Sequence, residues 1–454
     1  MNSFFANLGE RIRREKIISR IAEKQFHGDV YLVGGAIREI ALGGSPKDYD
    51  FVINNEKDLR IFEAAFSASS FILGKKPIQT HRIVARDTSL DISFHLGLIE
   101  IDLSRRDFTV NAMAYDVKNG TIIDPLGGLA DIERKIIRHT GEQVIGDDPL
   151  RMLKAVRHLA TLNGFSLDAN LEEAIRNSKE LIHQSAPERI KYELDQIITS
   201  YKAFEGMKVM ERTGLLFDLF PGLQRLRELD EEKGFVLTTY GHTIDGFKYL
   251  RKYGDTYDLN EKALRNVGYA LLFHDLGKAR TFSYDKDKMA VHFFYHERHS
   301  REIATSIMET LRFSSSEIKN VVALIESHMR IFLISGPEAT ERAVRRLVYK
   351  MEDLTPMLIV HSMCDMFGSS GGSENESTRQ VEIKCGAILK MYYDWKKQPL
   401  PRLVSGDDLL SVGFRSGPYV GMVLADIREK QISGEIREKS EALQYALTFL
   451  RSPS

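Results

Sequence analysis

Cysteine is nearly missing from this sequence, which carries Cys364 and Cys385 in 454 residues. They sit in no metal-ligand spacing, and a disulfide framework is excluded. Long apolar runs are missing too, none approaching the roughly 20 residues that span a bilayer. The first residues lack a signal-like apolar stretch and include Glu10 and Glu15, so neither a secretory nor a transit signal is read. A reduced, cytoplasmic setting without a membrane partner is therefore expected. Nor is there an excess of one charge: 63 Lys and Arg stand against 64 Asp and Glu, a net charge of −1. Total charge does not announce a nucleic-acid binder, and any basic surface has to be local. What remains is ordinary for a globular chain, at 43% hydrophobic and 28% charged residues. The length allows two to four domains.

Residues up to about 27 read as one amphipathic helix, with Leu8, Ile12, Ile17 and Ile18 between basic residues. Strand-like patterns follow at 30–33, 50–53, 82–85, 90–94, 99–103 and 121–123. Beyond about 130 the pattern turns helical and stays so, for example at 148–162, 171–178, 187–200 and 203–213. The Gly- and Ser-rich segment 368–373 reads as a flexible loop, and a last helical section starts at Ser405. The fold class expected is α+β, a mixed α/β head followed by helical regions.

Chemistry gathers first at Leu32-Val33-Gly34-Gly35-Ala36-Ile37-Arg38. Two glycines after an apolar strand let the backbone turn tightly beside a ligand. Arg38 lies one helical turn on, within reach of an anion. Asp48 and Asp50 then stand at i and i+2 of a second strand, on one face. Two such carboxylates repel unless a cation lies between them, so a divalent metal is the natural partner. A second cluster, Arg105-Arg106-Asp107-Phe108-Thr109-Val110-Asn111, offers paired guanidiniums beside an acid and an amide, suited to a triphosphate and a ribose hydroxyl or to a charged helix-capping loop. A third, Asp147-Asp148-Pro149-Leu150-Arg151, opens a helix in which Asp148, Arg151 and Lys154 recur every three residues. A carboxylate accepts from an exocyclic amino group and an arginine donates to a ring nitrogen or carbonyl. Such a pair would admit cytosine and adenine and reject uracil and guanine.

These motifs, with Asp124-Pro125-Leu126-Gly127-Gly128 and Glu188-Arg189-Ile190 before Glu193-Leu194, resemble the class II tRNA nucleotidyltransferase and bacterial poly(A) polymerase family. The resemblance implies a DNA polymerase beta-like head and addition of CMP and AMP to the 3′ end of tRNA without a template. It implies that Asp48 and Asp50 hold Mg²⁺, with Asp91 as a third carboxylate. Gly34, Gly35 and Arg38 would hold nucleotide phosphates, Arg106 and Asp107 the ribose and phosphates, and Asp148 and Arg151 the base. Lys154 and Arg157 occupy positions that are usually arginines, so Lys154 lacks the planar fork. Asp147 stands where the family usually has Glu. Between Asp91 and Arg105 the chain has only residues 92–104. Members that complete the CCA end usually carry a longer, arginine-bearing loop here, and members that add two cytidines resemble the short form. A CC-adding enzyme using CTP is the expectation; full CCA addition or A addition with ATP, and poly(A) synthesis, stay open.

The second half carries His242, then His274-Asp275-Leu276-Gly277-Lys278, His296, His328 and Asp365. Imidazole and carboxylate ligands suit a divalent metal. The arrangement resembles the HD phosphohydrolase superfamily, with His242, His274, Asp275 and Asp365 on its four-ligand pattern. His296 and His328 match further ligand positions found in some members, while His299 and His361 read as bystanders. The segments 401–409, 413–418 and 434–436 resemble the C-terminal region of HD-bearing members. The resemblance implies a head at 1–140, a nucleotide-reading and RNA-binding neck at 141–235, an HD domain at 236–370 and a tRNA-binding tail at 371–454. The basic run Arg342, Arg345, Arg346 and Lys350 reads as a solvated helix face or as an RNA-phosphate contact.

Overall fold

Alternation along the strand Asp48–Ile53 decides how the first part of the chain is layered. Tyr49, Phe51 and Ile53 point into a core, while Asp48 and Asp50 take the opposite face. The computed structural model describes residues 7–74, 79–85, 88–95, 97–233, 239–336 and 340–451. It divides into two units, residues up to 197 with 209–219, and residues 198–208 with 220 onwards.

In the first unit, helices α1 (Leu8–Arg14) and α2 (Lys16–Ala22) precede strand β1 (Val30–Val33). Helix α3 (Gly35–Ala41), β2 (Asp48–Ile53) and α4 (Asp58–Phe66) follow. Next come β3 (Phe71–Leu73), β4 (Thr80–Ala85), β5 (Thr88–Phe94) and α5 (Ile99–Ser104). Strands β6 (Ala114–Asp116) and β7 (Thr121–Ile123) complete a sheet of order β3-β4-β5-β2-β1-β6-β7. Its neighbours are antiparallel except β2 and β5, which run parallel. Phe51 lies behind the carboxylate face with its ring centroid 5.1 Å from that of Phe62 on α4, both side chains fully buried. On the other face Val33 and Val52 pack against Ile99 and Leu103 of α5.

Several local expectations change. Residues 99–103 form a helix rather than a strand: Ile99 and Leu103 are buried four apart, while Ile101 between them is 44% exposed. The alternating letters IEIDL concealed that spacing. The N-terminal helix is two helices, because Glu15 takes an extended conformation (φ −58°, ψ 130°). Leu8 and Ile12 on one, and Ile18 and Ile21 on the other, are thereby all buried. The third motif's helix begins at Arg151, not Asp148; Asp148 is extended (φ −148°, ψ 96°), as the residue before a proline prefers.

The second unit is helical, with one β-hairpin (Phe282–Asp285 and Ala290–Phe293) where only helix was expected. The first unit likewise adds a short parallel pair, Ile136–Ile137 with Ser166–Leu167. Nor is 368–373 loop throughout: the helix Thr355–Ser369 runs through Gly368. A Cβ on Gly368 would stand 2.5 Å from the carbonyl oxygen of His242, so this glycine serves close packing. Among the described residues no helix is long and apolar enough to cross a membrane.

Because Phe62 supports β2 from behind, Phe62→Ala is expected to destabilise the first unit by about 3–5 kcal/mol. Urea unfolding of the variant beside Phe62→Leu measures this, and the leucine should lose less than half as much.

Candidate active site and metal centre

Strand pairing sets three carboxylates in two neighbouring strands. Asp50 pairs across β2–β1 with Val33 and across β2–β5 with Asp91. Asp91 pairs onward with Arg82 of β4, whose Nε and Nη2 donate to its two oxygens at 2.7 and 2.5 Å. That fork neutralises Asp91 and leaves Asp48 and Asp50 carrying most of the remaining negative charge. Ser89 donates to Asp48. Burial raises the Asp50 pKa to about 6, with Arg106 opposing and Asp91 and Asp48 adding to the rise. A half-buried carboxylate beside a second, exposed one suits a hard divalent cation, and Asp48 and Asp50 are the residues that would hold it.

Gly34 stands where β1 turns into α3, at φ +78°. A Cβ there would lie 3.1 Å from both Arg106 Nη1 and Asp50 Oδ2. Glycine thus leaves open the space between a guanidinium and the metal-type carboxylate. Gly35 follows, its Cβ position 3.4 Å from Arg38 Nη2. Arg38 donates to Asn111 Oδ1, and Asn111 Nδ2 donates to Asp107 Oδ1 at 3.0 Å. Burial, then the charge of Arg157, lowers the Arg38 pKa. Arg106 is held by Asp102 at 3.0 Å, one turn back.

The third motif joins this wall. Arg151 donates to the carbonyls of Val144 and Arg105, both at 3.0 Å. Asp148 accepts from Leu150 N–H at 3.3 Å and from Arg189 Nη2 at 3.0 Å. Arg157 Nε meets the buried Glu193 at 2.6 Å. Lys154 is half-buried on the same helix, and Asp147 is exposed. Arg151 retains three of its five donors and Asp148 retains unused lone pairs, so both can still meet a base edge. Arg82 and Arg189 are the members to which sequence reasoning assigned no role. Arg189 stood inside a recognised motif; Arg82 carried no signal before strand register was known.

In the second unit five segments converge. His242 Nε2 lies 3.2 Å from His274 Nε2 and 2.9 Å from Asp275 Oδ2. Asp365 Oδ1 is 3.6 Å from both imidazoles. The other oxygen of Asp275 faces His296 Nε2 at 3.3 Å and His328 Nε2 at 4.0 Å, and those two nitrogens are 3.2 Å apart. His274, His296 and His328 each place Nδ1 2.7–2.9 Å from the carbonyl three residues earlier, in a geometry for donation. That turns each Nε2 lone pair inward, as metal-ligating histidines require. Two ligand sets share His274, namely His242–His274–Asp365 and His274–Asp275–His328. Burial opposes charge on His274, yet Asp275 and Asp365 outweigh it and lift its pKa to about 10. Burial and then His274 press His328 down to about 4. The two carboxylates demand positive charge between them, and the donor set fits a divalent metal. Lys278, unassigned from sequence, lies 2.5 Å from Asp275 and lines a cavity of about 490 Å³ with His242, Asp365, Asn375 and Thr378. His361 is fully buried, its ring edge-on to His274 at 5.2 Å. In the basic run, Arg342 and Arg346 pair with Glu435 and Glu429, which favours the helix-face reading.

Residues 93–138 match the family "Poly A polymerase head domain", 164–226 match "Probable RNA and SrmB-binding site of polymerase A", and 239–365 match "HD domain". A CC-adding tRNA nucleotidyltransferase of Thermus thermophilus is 31% identical over 428 residues, covering 92% of this chain and 93% of the relative. An A-adding tRNA nucleotidyltransferase of Deinococcus radiodurans is 31% identical over 420 residues, covering 90% and 93%. In fold, the CCA-adding enzyme of Bacillus stearothermophilus, solved with CTP, aligns with a TM-score of 0.65 at 23% identity over 99% of this chain and 98% of that one.

Two outcomes are expected. A divalent transition metal should stabilise the second unit by about 3–4 kcal/mol at 100–1,000 times its dissociation constant, and so raise its thermal midpoint. Asp275→Asn should abolish that rise in calorimetry, and a chelator should reverse it. His158, fully buried, has its pKa depressed first by burial and then by Arg38 and Arg157. The unfolded chain therefore gains a proton below about pH 6.5 that the folded chain refuses, and stability falls as pH drops. His158→Gln should flatten the pH 7 to 5 slope of unfolding stability by up to about 1.4 kcal/mol per pH unit.

Proposed function

Because the chain belongs to the tRNA nucleotidyltransferase and poly(A) polymerase family, we propose that it adds nucleotides from CTP to the 3′ end of tRNA without a template, and that its product is the CC dinucleotide. The observation that carries the activity is the Asp48–Asp50 face against the Gly34 turn, with Arg106 and Asp50 bordering the same space. The 3′ hydroxyl oxygen bonds to the α-phosphorus, the α–β anhydride bond breaks, pyrophosphate leaves and the hydroxyl proton is released. Arg106 and the Arg38–Asn111–Asp107 chain hold phosphates and ribose in line. A divalent cation, in our reading Mg²⁺, would be held by Asp48 and Asp50 and would supply charge neutralisation for the triphosphate. Asp148 and Arg151 read the amino and ring-nitrogen edges of cytosine.

The CC product rests on the short span after Asp91. Strand β5 runs to Phe94 and α5 starts at Ile99, with Leu96 between them outside the described residues. CC-adding and A-adding relatives are equally identical to this chain, so overall identity does not choose between them. A second reading applies to the other unit. The His–Asp set beside Lys278 and its polar cavity supports a metal-dependent phosphohydrolase. The division into head, neck, HD region and tail remains part of this proposal.

Purified protein given tRNA lacking its CCA end is expected to add two C residues from CTP and no A from ATP. Addition of A only to tRNA ending in CC, or of long A tails, would overturn the CC reading. Asp48→Ala should lower incorporation by more than about 100-fold, since even outer partners of a metal ligand are worth 10–100-fold. Circular dichroism should remain unchanged.

A further inference from the structure

Helices Glu341–Met351, Glu376–Lys397 and Pro418–Ile432 contribute to a cavity of about 590 Å³ that neither site described above uses. That volume is within the range of small-ligand sites. Trp395, the only tryptophan of the chain, forms one wall, and its indole Nε1 is buried without a hydrogen-bond partner. Tyr349 forms another, edge-on to Trp395 with ring centroids 6.3 Å apart. Both rings have neighbours that hold them. Arg428 Nε donates to the Tyr349 hydroxyl at 2.7 Å, and its guanidinium carbon lies 5.1 Å from the ring centroid. Tyr392 sits beside Trp395 and donates to Asp353 at 3.1 Å. The rim is polar and of mixed sign, with Arg345 paired to Glu341 and Lys390 to Asp394.

A wall built of two aromatic rings calls for a flat body with a π face of its own. A rim with both donors and acceptors calls for a ligand edge of the same mixed kind. Nucleobases combine a π face, ring-nitrogen and carbonyl acceptors and amino donors, and their phosphates suit Arg345 and Lys390. We propose that this cavity takes one unstacked nucleobase of the RNA substrate, other than the terminal nucleotide engaged at Asp48 and Asp50. The proposal rests on the transferase reading only for the identity of the RNA.

Trp395 itself reports on the site, because no other tryptophan contributes to the emission. Full-length protein is titrated with tRNA lacking its CCA end, with blunt duplex RNA of equal length, and with nucleoside monophosphates. Saturable change of emission by tRNA and the monophosphates, and none by the duplex, is the expected result. Ala387→Phe fills the cavity from an exposed position on its wall. It should remove the emission change and raise KM for tRNA roughly tenfold, the loss of about one stacked base, with kcat unchanged. Emission that ignores tRNA while C addition proceeds would overturn the nucleobase site and leave the transferase reading standing. An equal response to duplex, or a response unaltered in Ala387→Phe, would overturn it too. Absence of C addition by the unaltered protein would instead sink the transferase reading.

Discussion

Negative charge concentrated on one face of a sheet is the constraint around which the first unit is built. Asp48, Asp50 and Asp91 stand on two adjacent strands running in parallel, close enough for Asp91 and Asp48 both to raise the Asp50 pKa. Such an arrangement is costly unless cations answer it. The chain answers part of it, with the Arg82 fork on Asp91 and with Arg106 near Asp50. The remainder stays on Asp48 and Asp50, and this residual charge is what a metal-nucleotide complex can exploit. The open volume at Gly34 follows from the same requirement, since a side chain there would intrude between Arg106 and Asp50.

The second unit solves a similar problem with different chemistry. Asp275 turns one oxygen toward His242 and His274 and the other toward His296 and His328. Backbone carbonyls one turn earlier orient three of these imidazoles, so helix geometry aims the ligands before any ion arrives. Gly368 lets the helix bearing Asp365 lie against the His242 backbone, a close approach that any side chain would prevent. What reads in one dimension as a Gly- and Ser-rich linker is therefore, at its first residue, a packing contact beside the metal centre.

The regular elements show where local pattern sufficed and where it failed. Period-two alternation placed Asp48 and Asp50 on one face of a strand, and β2 has them there. The helix Ala203–Thr213 has the limits read from its apolar spacing. Residues 99–103 failed because IEIDL satisfies a two-residue and a four-residue period at once, and packing of Ile99 and Leu103 against Val33 and Val52 chose the second. The start of the helix after Asp148 failed because a proline excludes helical geometry from the residue before it.

By itself the sequence determined which chemical groups the protein owns and their local order: the glycine turn, the carboxylate pair, the Arg-Arg-Asp and Asp-Asp-Pro-Leu-Arg motifs, and six histidines and aspartates of ligand type spread over more than a hundred residues. These were legible because turn chemistry, strand period and helix period act over a few residues. Only the tertiary structure decided the partners: Arg82 for Asp91, Asn111 for Arg38, Arg189 for Asp148 and Lys278 for Asp275. It likewise decided that Trp395 and Tyr349 share a cavity. Such pairings depend on strand register and helix packing, which are set by the burial of whole faces and leave no mark in the spacing of the residues they join.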